Sequence, residues 1–293
     1  MIGYAALYEE GRRILAEGGV PDAALDARLL LETVCATSLS DLHVHPDRTV
    51  LPEQEKLYRA WIAKRAARIP LQHITGFQDF MGLTFQVSEK ALIPRQDTEH
   101  LVEEALRELH DGMKILDIGT GSGCILLSLL HYSNGCFGIG TDISEDALAL
   151  AKGNAEGLGI SAAFGMGKAA EEPQARFLHC DLAEGVPEGV LFDIVVSNPP
   201  YIPSAEIEVL EPEVKEHDPR LALDGGEDGL SYYRRLCTQV KKLLFPEGKL
   251  FFEIGHDQGA AVTAILKEAG FREIRVVKDY GGNDRVVVAE KFT

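Results

Sequence analysis

The tetrapeptide Asn198-Pro199-Pro200-Tyr201 closes the apolar run Phe192-Asp193-Ile194-Val195-Val196-Ser197. Its residue types suit chemistry on a planar nitrogen. An amide or exocyclic amino nitrogen is a weak nucleophile because its lone pair is delocalised, yet its two N–H groups can be fixed by two acceptors. The Asn198 side-chain oxygen can be one acceptor. The backbone carbonyl of Pro199 can be the other, its direction restricted by the Pro199-Pro200 pair. Tyr201 can stack on the flat face of the target, holding the nitrogen in line with an electrophile. Positioning and electrostatics suffice for such a transfer, without a metal or a covalent intermediate. The plain alternative is a proline pair that only ends a strand.

A second constellation lies upstream. Lys114-Ile115-Leu116-Asp117-Ile118 runs into Gly119-Thr120-Gly121-Ser122-Gly123 and then into an apolar helical stretch, Cys124 to Leu130. Glycines let the backbone pass close beneath a ligand, and the helix start offers unpaired N–H groups to it. The GxGxG spacing lacks the Lys-Ser/Thr ending of a triphosphate loop and the third glycine position of the dinucleotide fingerprint. Asp142 follows the next apolar run, about twenty residues on, where a carboxylate can accept two hydrogen bonds from a ribose diol. That geometry suits an adenosine ligand; capping of the helix begun at Ser144 is the alternative. Asp117 could meet a ligand ammonium, and Asp181 could accept from an adenine amino group, beside Leu182. Plain cap or turn roles compete for both acids.

These residues need a scaffold that gathers strand ends. From Met113 onward short apolar strands alternate with helical segments: Lys114 to Asp117, Phe137 to Asp142, Asp193 to Ser197, Lys249 to Ile254 and Arg285 to Ala289. Strands spaced by helices predict crossover connections, hence an α/β, Rossmann-like, mostly parallel sheet with helices on both faces. The carboxyl ends of its strands then line the ligand crevice, which brings Gly119, Asp142, Asp181 and Asn198 together. Before this sheet, Tyr4 to Arg68 repeats Leu25, Leu29, Leu30 and Val34, then Leu57 and Trp61, at helical spacing. Between Gly76 and Ile93, Leu83, Phe85 and Val87 alternate with polar residues, predicting a linking β-hairpin. Asp97 or Thr98 then suits the cap of a helix carrying Leu101, Val102, Ala105, Leu106 and Leu109. The expected division is a helical domain over 1–75, a hairpin linker over 76–93 and a catalytic domain over 94–293.

Bulk properties limit the partners. Hydrophobic residues make up 45% and charged residues 26% of 293, an ordinary globular composition. The net charge of -17 argues against gripping nucleic acid through phosphate neutralisation. The most basic stretch, Lys64, Arg65 and Arg68, reads as a solvated helix face. Cys35, Cys124, Cys136, Cys180 and Cys237 stand singly, with no metal-ligand spacing and no CxxC pair. The charged N-terminal stretch is neither a signal peptide nor a membrane span, so a cytoplasmic protein is expected. Oligomeric state is open at this level.

Longer segments carry a resemblance. Asp26-Ala27-Arg28-Leu29-Leu30-Leu31, Pro70-Leu71-Gln72-His73-Ile74-Thr75-Gly76, Leu92-Ile93-Pro94-Arg95-Gln96-Asp97-Thr98-Glu99 and Asp279-Tyr280-Gly281-Gly282-Asn283-Asp284-Arg285 accompany the motifs above. With them the whole chain resembles the bacterial protein-(glutamine-N5) methyltransferases that act on peptide chain release factors, the PrmC/HemK family. The resemblance implies a class I methyltransferase fold, S-adenosyl-L-methionine as donor with S-adenosyl-L-homocysteine as product, and no metal. It implies as acceptor the glutamine amide of a Gly-Gly-Gln loop in release factors one and two, the helical domain helping to recognise them. Gly119 to Gly123 and Asp142 would hold the cofactor, and Asn198 to Tyr201 the glutamine. Some relatives carry an aromatic residue where Leu182 stands. Arg95 and Glu99 would shape the wall near the substrate loop, with a surface salt bridge as the alternative for Arg95. The NPPY motif also occurs in enzymes that methylate adenine in DNA or RNA, which is the competing activity; a non-catalytic cofactor-binding protein is the third reading.

Overall fold

The computed structural model describes residues 2–167 and 172–292. They fall into two compact units, Met1–Phe77 with Glu211–His217, and Gln78–Leu210 with Asp218–Thr293.

The first unit is helical, with α1 (Tyr4–Glu17), α2 (Ala23–Cys35), α3 (Leu39–Val44), α4 (Pro52–Ala66) and α5 (Leu71–Thr75). Pro52 opens α4, where the absent N–H has no helical partner to lose. Leu7, Leu15, Leu30, Leu31, Tyr58 and Ile62 make the core. Leu25 and Leu57, which the helical spacing places on the apolar stripe, instead face outward at 44% and 43% exposure. Arg65 also departs from the solvated face expected of it. Its guanidinium is buried and donates to Asp26 at 2.7 Å and to Glu213 at 2.8 Å. Arg68 adds a hydrogen bond to Glu213 at 2.6 Å, so the two arginines clamp the 211–217 segment onto this unit.

The hairpin of β1 (Phe77–Phe80) and β2 (Leu83–Gln86) starts at the last residue of the first unit's main segment and otherwise belongs to the second unit. Its two turn residues, Met81 and Gly82, both have positive φ, at 52° and 72°, the backbone that matches the twist of paired strands. Phe80 and Phe85 meet edge to face, 6.1 Å between centroids. There follow α6 (Gln96–Glu108), β3 (Lys114–Ile118), α7 (Cys124–His131), β4 (Phe137–Asp142), α8 (Glu145–Gly157), β5 (Ala162–Phe164), β6 (Ala175–His179) and β7 (Phe192–Ser197). After α9 (Pro212–Lys215), which belongs to the first unit, come α10 (Ser231–Leu243), β8 (Leu244–Glu253), α11 (Gly259–Glu268), β9 (Phe271–Lys278) and β10 (Asp284–Lys291). Neither Asp97 nor Thr98 caps α6: the helix starts at Gln96, with Arg95 at the N-cap and no side-chain cap.

The eight-stranded sheet has the order β5-β6-β4-β3-β7-β8-β10-β9. It is parallel through β8, and β10 enters antiparallel between β8 and β9. The expected Rossmann-like sheet is therefore present, with an antiparallel edge. One face packs Ile115, Ile194 and Phe251 against Leu101, Leu126 and Leu148 from α6, α7 and α8. The other packs Leu116, Val195 and Phe252 against Leu236, Val240 and Val262 from α10 and α11. Consecutive strand residues thus serve opposite layers, as the pleat requires. The strand order reverses between β3 and β4 on one side and β7 on the other, so the carboxyl ends of these three strands open onto one crevice.

Candidate active site

A cleft of about 1040 Å³, counted out to its mouth, lies at those strand ends. Gly119, Thr120, Gly121, Ser122, Asp142, Asp181, Leu182, Asn198 and Pro200 all line it, as does Arg95. Its remaining walls include Ile93, Thr98, Pro219, Leu221, Ala222 and Tyr232.

The turn between β3 and α7 holds Gly119, Gly121 and Gly123 at φ values of +75°, +56° and +81°, backbone that other residues rarely adopt. The amides of Gly119 and Thr120 both donate to the Thr141 carbonyl at 2.9 Å, pinning the turn to the end of β4. Asp142 braces it further. One carboxylate oxygen accepts from Gly121 N at 2.9 Å and the other from Ser144 N at 2.9 Å. Ser144, not Asp142, caps α8 by accepting from Ala147 N. Each carboxylate oxygen has a second lone pair, which leaves Asp142 able to accept from a ligand in the cleft. Burial pushes its pKa upward, against the hydrogen bonds from Ser144 and Gly121.

Two residues of this constellation do not face the cleft. Asp117 is fully buried and accepts from Thr120 Oγ1 at 2.6 Å; burial raises its pKa to about 7. It holds the turn from beneath rather than meeting a ligand ammonium. Gly123 is a packing position, because a Cβ there would lie 3.0 Å from Leu127 and 3.1 Å from Ala151. Asp181 faces the cleft with one oxygen in an ion pair to Arg235 at 2.6 Å.

On the other side β7 delivers Asn198. Its Nδ2 donates to Thr98 Oγ1 at 3.3 Å, which orients the amide and leaves Oδ1 as the acceptor available to the cleft. Pro200 lines the cleft beside it, whereas the Pro199 ring is buried. Tyr201 is the main correction. It does not line the cleft; its ring packs against the core layer beneath α10, where burial drives its pKa far up. The stacking role expected of it is absent from this geometry. The backbone around Tyr201 is fixed from two sides: Gln258 Nε2 donates to its carbonyl at 2.9 Å, and Gly225 packs against it so closely that a Cβ would sit 2.8 Å from Tyr201 Cα. Arg95 pairs with the buried Asp218 at 2.5 Å. Glu99 lies away from the wall and instead accepts from Met81 N in the hairpin turn at 2.7 Å.

Comparison with known proteins decides the family. Residues 6–76 match the model of the PrmC N-terminal domain, and residues 109–265 match a methyltransferase domain. The release factor glutamine methyltransferase of Caulobacter vibrioides is 40% identical over 279 residues, covering 94% of this chain and 92% of that one. That of Moorella thermoacetica is 42% identical over 287 residues, covering 97% and 96%. This chain belongs to the release factor glutamine methyltransferase family. A methyltransferase structure from Pyrococcus furiosus shares the fold, with a TM-score of 0.53 at 18% identity over 80% of this chain and 98% of that one. The sheet is therefore that of a class I methyltransferase.

Two of the segments that carry the resemblance meet in space. Arg285, from the Asp279-to-Arg285 segment, pairs with Asp97 of the Ile93-to-Glu99 segment at 2.9 Å and with Asp279 at 3.1 Å. The His100 and Tyr280 rings pack edge to face at 4.4 Å. Beside them Glu253, at the end of β8, is only 2% exposed. Thr98, Glu253, Gln258 and the 219–222 wall lie outside the chemical motifs. Thr98 lies inside a segment singled out above, so its neighbour Arg95 marked the place; the wall carries no periodic or chemical signal.

Proposed function

We propose that this enzyme transfers a methyl group from S-adenosyl-L-methionine to the side-chain amide nitrogen of the glutamine in the Gly-Gly-Gln loop of peptide chain release factors. The observation that carries the reading is Asn198, bonded through its Nδ2 to Thr98 and with no partner on its oxygen among the described residues, in the same cleft as the glycine turn and Asp142.

The residues present fit the cofactor. A Cβ on Gly119 would meet nothing within 4 Å, so the turn is open for close approach. Asp142 supplies acceptors for a ribose, Asp181 an acceptor near the rim, and Ile93, Ile143 and Leu182 supply apolar walls for an adenine ring. When bound, the cofactor supplies an electrophilic methyl group on a sulfonium. The protein does the rest by placement. Asn198 Oδ1 accepts one N–H of the substrate amide, and the Pro199 carbonyl accepts the other. Two fixed acceptors on one planar NH2 group set its position and enrich its electron density, which lowers the barrier through orientation and preorganised electrostatics. Arg95 and Pro200 line the substrate side. Tyr201 acts through the backbone and core instead of by stacking.

Purified enzyme, labelled cofactor and a purified release factor test this directly. Label is expected on the glutamine of the Gly-Gly-Gln loop; label elsewhere, or none, sinks the reading.

A further inference from the structure

The register of the sheet places an unused acid beside the reacting segment. β7 and β8 are parallel with Ser197 opposite Phe252, so the next residues along, Asn198 and Glu253, end neighbouring strands together. Glu253 is buried, its backbone carbonyl is fixed by the Tyr233 hydroxyl at 2.8 Å, and its Oε2 has no hydrogen-bond partner among the described residues. An incompletely satisfied carboxyl in a protein interior is costly unless it has work to do. Hydrogen bonding from the hydroxyls of Thr98 and Tyr201 acts to lower its pKa. Thr98 Oγ1 already accepts from Asn198 Nδ2, so its own hydrogen is left to donate, and the strand register brings the Glu253 carboxyl to the same end of the sheet as an acceptor for it.

We propose that Glu253 is a positioning residue for methyl transfer, orienting the Asn198 amide through the Thr98 hydroxyl and anchoring Tyr201 at the other end of the Asn-Pro-Pro-Tyr segment. The inference rests on the function proposed above. A carboxylate that accepts from Thr98 commits that hydroxyl's lone pair to Asn198 Nδ2, which in turn commits Asn198 Oδ1 to the cleft. Without it the amide is free to rotate and offer its NH2 group, a donor where an acceptor is needed.

The charged and titratable surroundings of Glu253 are Asp97 on α6, Cys124 on α7, Tyr201 after β7, Tyr233 on α10 and Arg285 on β10. Burial raises its pKa to about 7, against the hydrogen bond from Thr98, the charge of Arg285 and the hydrogen bond from Tyr201. The carboxylate form therefore prevails only above that pH.

The test uses full-length Glu253→Gln and Thr98→Val enzymes with a release factor. Each is expected to lose on the order of 10- to 100-fold in kcat while affinity for S-adenosyl-L-homocysteine is kept, because orientation and not cofactor binding is disturbed. The double variant should lose little more than the worse single one, since both break one relay. Thr98→Ser, which keeps the hydroxyl, should recover most of the rate. The acidic limb of the kcat profile near neutrality should vanish in Glu253→Gln but persist in Asp117→Asn, whose carboxyl titrates in the same range. Independent, multiplying losses in the double variant, or a Glu253→Gln enzyme with wild-type kcat and pH profile, would overturn the proposal while leaving the functional reading intact. A wild-type enzyme inactive on the release factor would overturn both.

Discussion

In the proposed reaction the chemistry falls on one side-chain amide, that of Asn198, which donates to Thr98 Oγ1. Replacing it with alanine should lower kcat by about 10²- to 10³-fold, as loss of one preorganised polar contact does, with cofactor affinity retained. Steady-state turnover and calorimetric titration separate the two; an unchanged rate would remove the mechanism. Asp117 supports a different expectation, about stability. Its pKa is about 7 in the fold against 3.8 ordinarily, so the folded protein holds a proton that the unfolded chain has already released between those values. Stability from this group is thus greatest below the unfolded pKa and declines as pH rises through about 7. Glu253, also at about 7, acts in the same sense. Urea unfolding of Asp117→Asn should show a smaller loss of stability between about pH 5 and about pH 8 than the wild type. Equal losses would show that Asp117 ionises normally in the fold.

At the level of elements, the clamp of α4 on the 211–217 segment is the most exposed to mutation. Arg65 satisfies two carboxylates from a buried position, and Arg65→Ala should destabilise the protein by about 3–5 kcal/mol by leaving the buried Asp26 uncompensated, while Glu213 keeps Arg68. Thermal or urea unfolding would show it, and a change below about 1 kcal/mol would mean that water replaces the guanidinium. Burial would raise the pKa of Glu213, but Arg68 and Arg65 hold it at about 2 against 4.5. Its contribution is therefore present above the ordinary value and lost as pH falls towards 2, a window separate from that of Asp117. The strands β3, β4, β7, β8 and β10 were legible because each is an apolar run ending at a polar or glycine position. β9 was not, because Phe271-Arg272-Glu273-Ile274-Arg275 carries charges on a sheet edge. The entry of β10 between β8 and β9 is a tertiary fact with no local signature. In the site, Gly119, Asp142 and Asn198 were legible because the chemistry demands those residue types. Thr98 and Glu253 were not, since their meaning arises only from the register of β7 on β8 and the packing of α6. Tyr201 misled because an aromatic beside a reactive segment looks alike whether it faces ligand or core.

Over the whole molecule the charge of -17 and the lining of the cleft agree. Among the described residues the cations that line it, Lys90 and Arg95, are paired with Asp146 at 3.1 Å and Asp218 at 2.5 Å. A nucleic-acid substrate would need unpaired positive charge along its backbone path, whereas a protein loop carrying a glutamine amide needs only the two acceptors. No helix among the described residues is long and apolar enough to cross a membrane. The most direct measurement is peptide mass spectrometry of a release factor after incubation with this enzyme and S-adenosyl-L-methionine, alongside DNA and RNA treated in the same way. One added methyl group on the glutamine of the Gly-Gly-Gln loop, with the nucleic acids unmodified, is the predicted result. Methylated adenine, or a release factor without the added methyl, would contradict it.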